Sequence, residues 1–253
     1  MLIGYGMPAP QSVALVGGTW LTADGGGALF DGKPARRARI ARTGALSINI
    51  TLAEAVVPGI VAVLGLNVPA GVTIRAAGAT GHTVRLPTGT VCAWLFPTGS
   101  AAVSSVAVEI DTTVANVEVG EIAIFRTVDV GITDGWAVAP VDASTHTRTK
   151  GGQVNTVAGA VYRRLTATLS GRATEAVRKG GLSGADWETV AMAMAGRQRS
   201  CVVPQYRDIQ TKAFDPVLAA RAAMYGHATQ LPSAENISRQ YFSGYMEFEE
   251  IPA

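Results

Sequence analysis

The chain predicts a mainly β fold whose first part is a β-sandwich, and three neighbouring stretches carry that expectation. Ser47-Ile48-Asn49-Ile50-Thr51-Leu52 alternates, so one strand face is dry and the other wet. Gly59-Ile60-Val61-Ala62-Val63-Leu64-Gly65-Leu66 is apolar on both faces, as in a strand covered from both sides. Asn67-Val68-Pro69-Ala70-Gly71 is turn chemistry, because Pro fixes φ and Gly supplies positive φ. Val72-Thr73-Ile74-Arg75-Ala76 then alternates again. Strands at this spacing argue for a sandwich.

The elements before that core are less regular. Leu2 to Leu21 reads as an N-terminal arm and first strands, with Ser12-Val13-Ala14-Leu15-Val16 as a strand that Gly17-Gly18-Thr19-Trp20 breaks. Ala23 to Gly27 reads as a loop, since an Asp-Gly step favours a tight turn. In Arg37-Ala38-Arg39-Ile40 the arginines alternate with apolar residues, the pattern of a strand with a charged outer face.

After the core, His82-Thr83-Val84-Arg85-Leu86 and Val91-Cys92-Ala93-Trp94-Leu95-Phe96 form a pair split by Pro87-Thr88-Gly89. Ser104 to Ile110, Ala115 to Val119 and Gly120 to Arg126 complete the sandwich. Gly131 to Gly135 is turn-rich. Pro140 to Gly152 is polar, rich in Ser and Thr, and shows no apolar period. The expected domains are therefore 1–140, a linker at 141–155, and an α+β domain at 156–253.

That second domain begins with one long strand, Ala160 to Ser170. Arg172 to Lys179 reads as a short helix. A clearer helix follows, with Ser183 as N-cap, Asp186 at its third position, and Leu182 and Trp187 placed for a hydrophobic staple. Trp187, Val190, Ala191 and Met194 share one face, and Gly196 closes the helix. Cys201 to Pro204 is a short strand. Asp215-Pro216 can start another helix, with Asp as cap and Pro at its first position. Tyr225 to Thr229 and the long Gln240 to Ile251 read as strands. The domain is smaller than the first, with long strands and one or two helices.

Composition bounds the function. The chain has 253 residues, 48% of them hydrophobic and only 16% charged, against about 25% charged in typical soluble domains. Surface covered by other subunits would account for that, as would a Thr/Ser-rich β surface. A net charge of +2 gives no reason to expect nucleic acid. Residues 1–140 carry 8 basic and 9 acidic side chains, net −1, and residues 141–253 carry 13 and 10, net +3. Arg outnumbers Lys 17 to 4, and Arg is the better interface cation. The N-terminal stretch lacks a basic region and contains two prolines, unlike a signal peptide. No apolar run reaches the ~18–20 residues of a membrane span.

Chemistry is sparse. His82, His146 and His227 are the only histidines, no His-x-x-x-His occurs, and Cys92 and Cys201 read as small buried hydrophobes. No metal or cofactor is expected. Neither a nucleophile elbow nor a phosphate-cradling loop is present. Glu109/Asp111, Asp186/Glu188 and Glu247/Glu249 are carboxylate pairs. The first and third would share a strand face, as glycosidase carboxylates can, but on a strand a solvated face is the preferred reading of each. Trp94 and Trp187 read as core. Trp136, in the turn-rich Thr133-Asp134-Gly135-Trp136, is either a ring that stacks on a sugar or a residue buried between domains. Arg163, Arg164, Glu249 and Glu250 are candidate subunit-interface charges.

The order of features resembles that of structural tail proteins of tailed bacteriophages. Leu29-Phe30-Asp31-Gly32, the basic strand, the alternating strand and Val61 to Ala76 carry the first part of the resemblance. Val106 to Ile110 and Glu118 to Phe125 look like the closing strands of a galactose-binding-like (discoidin-type) jelly roll. Tyr162 to Leu165, the Asp186-Trp187 helix, Tyr225-Gly226 and Tyr245 to Glu250 look like parts of tail-tip or baseplate subunits. The resemblance implies a non-enzymatic virion protein, made in the host cytoplasm and built into the tail. It would form a homo-oligomeric ring with other tail proteins, such as the distal-tail ring joining tube to tip. The alternative is a carbohydrate-binding module used in host adhesion.

Overall fold

The computed structural model describes residues 1–253 except 132–134, Ser183, Pro232, Gln240 and Ala253. The expected cap Ser183, Thr133-Asp134, and Gln240 at the start of the last strand lie outside the described residues. The first half runs β1 (Leu2–Tyr5), β2 (Pro10–Trp20), α1 (Gly25–Ala28), β3 (Ala38–Val56), β4 (Ile60–Leu66) and β5 (Thr73–Ala76). It continues through β6 (Ala79–His82), β7 (Val84–Arg85), β8 (Val91–Leu95), β9 (Val103–Asp111), β10 (Asn116–Val119) and β11 (Glu121–Asp129). Then come β12 (Trp136–Asp142), β13 (Thr145–Arg148), β14 (Val154–Val157), β15 (Val161–Ala173), α2 (Thr174–Arg178) and α3 (Trp187–Met194). The chain ends with β16 (Ser200–Val203), α4 (Pro216–Ala222), β17 (Met224–Gln230), β18 (Glu235–Ser238) and β19 (Tyr241–Glu250).

The fold is a β-sandwich extended by a shared sheet. An 11-stranded sheet runs β12-β15-β19-β17-β16-β1-β11-β4-β8-β7, with β18 beside β19. A six-stranded sheet runs β10-β3-β9-β5-β6, with β2 beside β3. The second sheet covers one end of the first. Ile48, Ile50, Val106 and Val108 of the smaller sheet meet Val61, Val63, Ile122 and Ile124 of the larger.

Strand β4 shows why an all-apolar run was needed. Each of its residues is buried. Val61 and Val63 face the sandwich interior. Ile60, Ala62 and Leu64 face the opposite way, onto Cys201, Val203, Tyr225 and the Ala219-Ala220 face of α4. Period-two alternation thus feeds two cores from one strand. In β11 the same parity puts Ile122 and Ile124 into the sandwich, while Val128 joins a third cluster under α3 with Trp187, Val190 and Met194.

β1 joins the two halves. It pairs antiparallel with β11 on one side and with β16 on the other, with Ile3 opposite both Val128 and Val202. The sheet therefore continues across the boundary expected at 140. The stretch expected as a linker, 141–155, contains the end of β12, all of β13 and the start of β14. Its β-branched residues suit extended backbone, and its lack of apolar period reflects a hairpin wet on both faces.

Three local expectations change. The strand at Ser12–Val16 is not broken by Gly17. It runs to Trp20 through a bulge between Val16 and Gly18. Gly17 there has φ +73, and a Cβ would lie 1.9 Å from the Ala45 carbonyl oxygen. Ala23–Gly27 leads into a helical turn, α1, rather than a tight hairpin turn. Asp186, expected inside the third helix, is its N-cap, and its carboxylate accepts from the Thr189 N–H at 2.7 Å. Leu182 and Trp187 pack in the same cluster. Helix α4 is capped as the Asp215-Pro216 step predicts, with Asp215 accepting from the N–H groups of Val217 and Leu218. Among the described residues, the second half holds three short helices plus a 3₁₀ turn at Ala195–Arg197.

Candidate assembly interface

The large sheet ends in an open edge, β12, and the edge continues outward as an arm. β12 pairs with β15 from Trp136 opposite Ala167 to Asp142 opposite Val161. Beyond it, the Ala143 N–H donates to the Ala160 carbonyl at 3.1 Å, and β13 then pairs with β14. The hairpin closes at Thr149 to Gly152, next to Arg148 and Lys150. Every residue of β13 and β14 is exposed. Five large apolar side chains on the edge and the arm face solvent: Trp136 (40%) and Val138 (36%) on β12, Val161 (49%) at the start of β15, and Val154 (54%) and Val157 (63%) on the arm.

Trp136 is placed by this geometry on a strand, at the first position of β12, rather than in a loop. Its register partner is Ala167 and its described chain neighbours are Gly135 and Ala137.

The four expected interface charges lie at the inner border of the same edge, and they meet one another within one chain. Arg164 sits directly opposite Glu249, and its Nε donates to Glu249 Oε1 at 2.9 Å. The Arg164–Glu249 pair is partly solvent-exposed. Arg163 is buried deeper. Its Nε donates to Glu250 Oε2 at 2.9 Å, its Nη2 donates to Glu250 Oε1, and Nη2 also donates to the Ala223 carbonyl at 2.7 Å. A bond to the Arg221 carbonyl at 3.2 Å adds a second contact at the end of α4. Arg163 thereby ties β15, β19 and the helix C-terminus together, where a cation meets orphan carbonyls. The physical reason is strand pairing: β15 and β19 are antiparallel neighbours, so charges 87 positions apart face each other.

A second charged cluster sits at the joint between the halves, and the acid Glu121 was the one sign of it in the sequence. Glu121, the acid that precedes the apolar run Ile122–Phe125 of β11, has a fully buried side chain. Its Oε1 accepts from Arg199 Nη1 at 2.8 Å and from the Tyr225 hydroxyl at 3.2 Å, and its Oε2 accepts from the Gly32 N–H at 2.9 Å. Arg199 Nη1 also donates to the Phe30 carbonyl at 2.8 Å. Burial pushes the Glu121 carboxyl up to about 7, against the pull of Arg199 and the two other donors.

No family model and no curated protein matches the chain. A solved structure of CpGH89CBM32-6 produced by Clostridium perfringens is 11% identical to it, over 46% of this chain and 94% of that one, with a TM-score of 0.32. A likeness that slight says nothing about a ligand.

The remaining candidates are dispersed. Glu109 and Asp111 lie on the outer face of the six-stranded sheet, whereas Glu247 and Glu249 lie on β19 of the other sheet. Glu247 Oε1 accepts from the Tyr245 hydroxyl at 2.7 Å. Cys92 and Cys201 are free and buried, and burial pushes the Cys92 thiol up to about 12. Among the described residues no three His, Cys, Asp or Glu side chains gather as a metal site, and no helix is long and apolar enough to cross a membrane.

Proposed function

We propose that the chain is a non-enzymatic structural subunit of a tailed-bacteriophage virion, placed in the tail tip or baseplate as a homo-oligomeric ring of the distal-tail kind. The observation that supports this most is the arm. An isolated two-stranded hairpin is marginal in water, and this one exposes Val154 and Val157 beside the exposed Trp136, Val138 and Val161 of the sheet edge it extends. Covering them with a neighbouring copy removes apolar surface from water at roughly 25 cal/mol per Å². An arm docked on a different surface of the next copy is a heterologous contact, which closes into a ring when the rotation allows. The placement in a phage tail rests on the sequence resemblance.

The alternative carbohydrate-binding reading takes Trp136 as the contact, and among the described residues its immediate neighbours in chain and register are Gly135, Ala137 and Ala167. In our reading Trp136 belongs to the open edge from which the arm continues. Negative-stain microscopy of the purified protein is expected to show closed rings, and gold-labelled antibody is expected to mark the tail end of virions. Dispersed monomers together with unlabelled virions would contradict the proposal.

A further inference from the structure

On the α4 side of the large sheet, a cavity of about 220 Å³ lies between the β7–β8 turn and the end of the chain. Leu64 of β4 and Cys92 and Trp94 of β8 line it, and Leu86, Val161 and Ile251 close its sides. Backbone bonds hold those sides in place. The Ile251 N–H donates to the Tyr225 carbonyl at 2.8 Å, and the Leu86 N–H donates to the Thr90 carbonyl at 2.8 Å across the turn. The space far exceeds the ~10–15 Å³ that one water needs. It falls below the ~300–1,000 Å³ of sites for drug-sized ligands, so it suits one ring with a short substituent.

The wall is apolar, and its charged group is already engaged. Glu250 is bound by Arg163, and the Tyr225 hydroxyl donates to Glu121. Cys92 stays a neutral thiol, because burial raises it to about 12 although the Trp94 indole pulls the other way. Trp94 is the exception. It is 3% exposed, and its indole N–H closes a hydrogen bond with no described residue, the neighbouring thiol included. A buried donor left unmet is costly.

We infer that this cavity binds a neutral, largely apolar molecule of one-ring size whose carbonyl oxygen accepts from the Trp94 N–H. The apolar wall favours burial of the ring. A charged ligand would lose its hydration against a wall whose own carboxylate is already paired. Val161 belongs both to this wall and to the exposed edge. The cavity is complete in one copy, so the inference does not rest on the assembly reading.

The test follows the Trp94 indole N–H resonance of the full chain during titration with acetophenone. Isopropenylbenzene, which has the same shape without the acceptor, and benzoate, which adds a charge, are titrated in parallel. Thr88→Phe fills the cavity from its exposed rim, with melting temperature as the folding control. The expected result is a saturable downfield shift with acetophenone and a Kd of about 1 mM or tighter. Isopropenylbenzene should give a clearly smaller shift and benzoate none, and Thr88→Phe should weaken acetophenone about tenfold or more. Four outcomes overturn the inference: no shift with acetophenone, an equal shift with isopropenylbenzene, an equal response to benzoate, or a response that folded Thr88→Phe leaves intact.

Discussion

Glu121 Oε1 accepts a hydrogen bond from Arg199 Nη1 at 2.8 Å, joining residues 78 positions apart at the seam of the two halves. The pair buries a charge where β11 meets the segment leading into β16. Because burial raises the Glu121 carboxyl to about 7, folding takes up a proton between the ordinary carboxylate range and that value. The folded chain then binds more protons than the unfolded one, so stability falls as pH rises through this window and levels off above it. Denaturant midpoints are expected to be higher near about pH 5 than near about pH 8 for this reason. Glu121→Gln should flatten the slope. An equal slope in the Gln variant would show that another group sets it.

Val63 stands at the centre of β4 and is wholly buried in the sandwich core. Val63→Asp places a charge there without a partner, at a cost of more than ~4 kcal/mol. The variant is expected to be insoluble or to lack a cooperative melting transition by circular dichroism. A folded Val63→Asp protein would remove β4 from the core.

Asp215 holds the start of α4 through bonds of 2.9 and 3.0 Å from Val217 and Leu218. That helix covers the outer face of β4 and β8 through Ala219, Ala220 and Ala223. Asp215→Ala should cost about 1 kcal/mol, read as a shifted urea midpoint with unchanged slope. No shift would mean that packing alone fixes the helix.

These outcomes also show what the sequence could reveal. β4 was legible because both of its faces are dry, and the Ser47–Leu52 stretch of β3 because only one is, although its continuity with the basic stretch at Ala38–Ile40 was not. The Asp215-Pro216 cap was legible because the signal is local. By contrast, β1 has four residues, and its importance comes from partners near positions 128 and 202. No local pattern encodes that. The pairing of Arg163 with Glu250 was hidden for the same reason, and the four charges were therefore expected to seek another subunit. The arm escaped notice because a hairpin wet on both faces has no apolar period. Its Thr and Val content was the available signal.

The account turns on the arm. The measurement that tests it most directly is sedimentation of the full chain beside a variant in which residues 145–158 are replaced by a short Gly/Ser turn. The Ala143–Ala160 hydrogen bond marks a clean join for that replacement. The account predicts a single closed oligomer for the full chain and a monomer of unchanged melting temperature for the variant. A full chain that stays monomeric at every concentration, or a shortened one that assembles equally well, would contradict it.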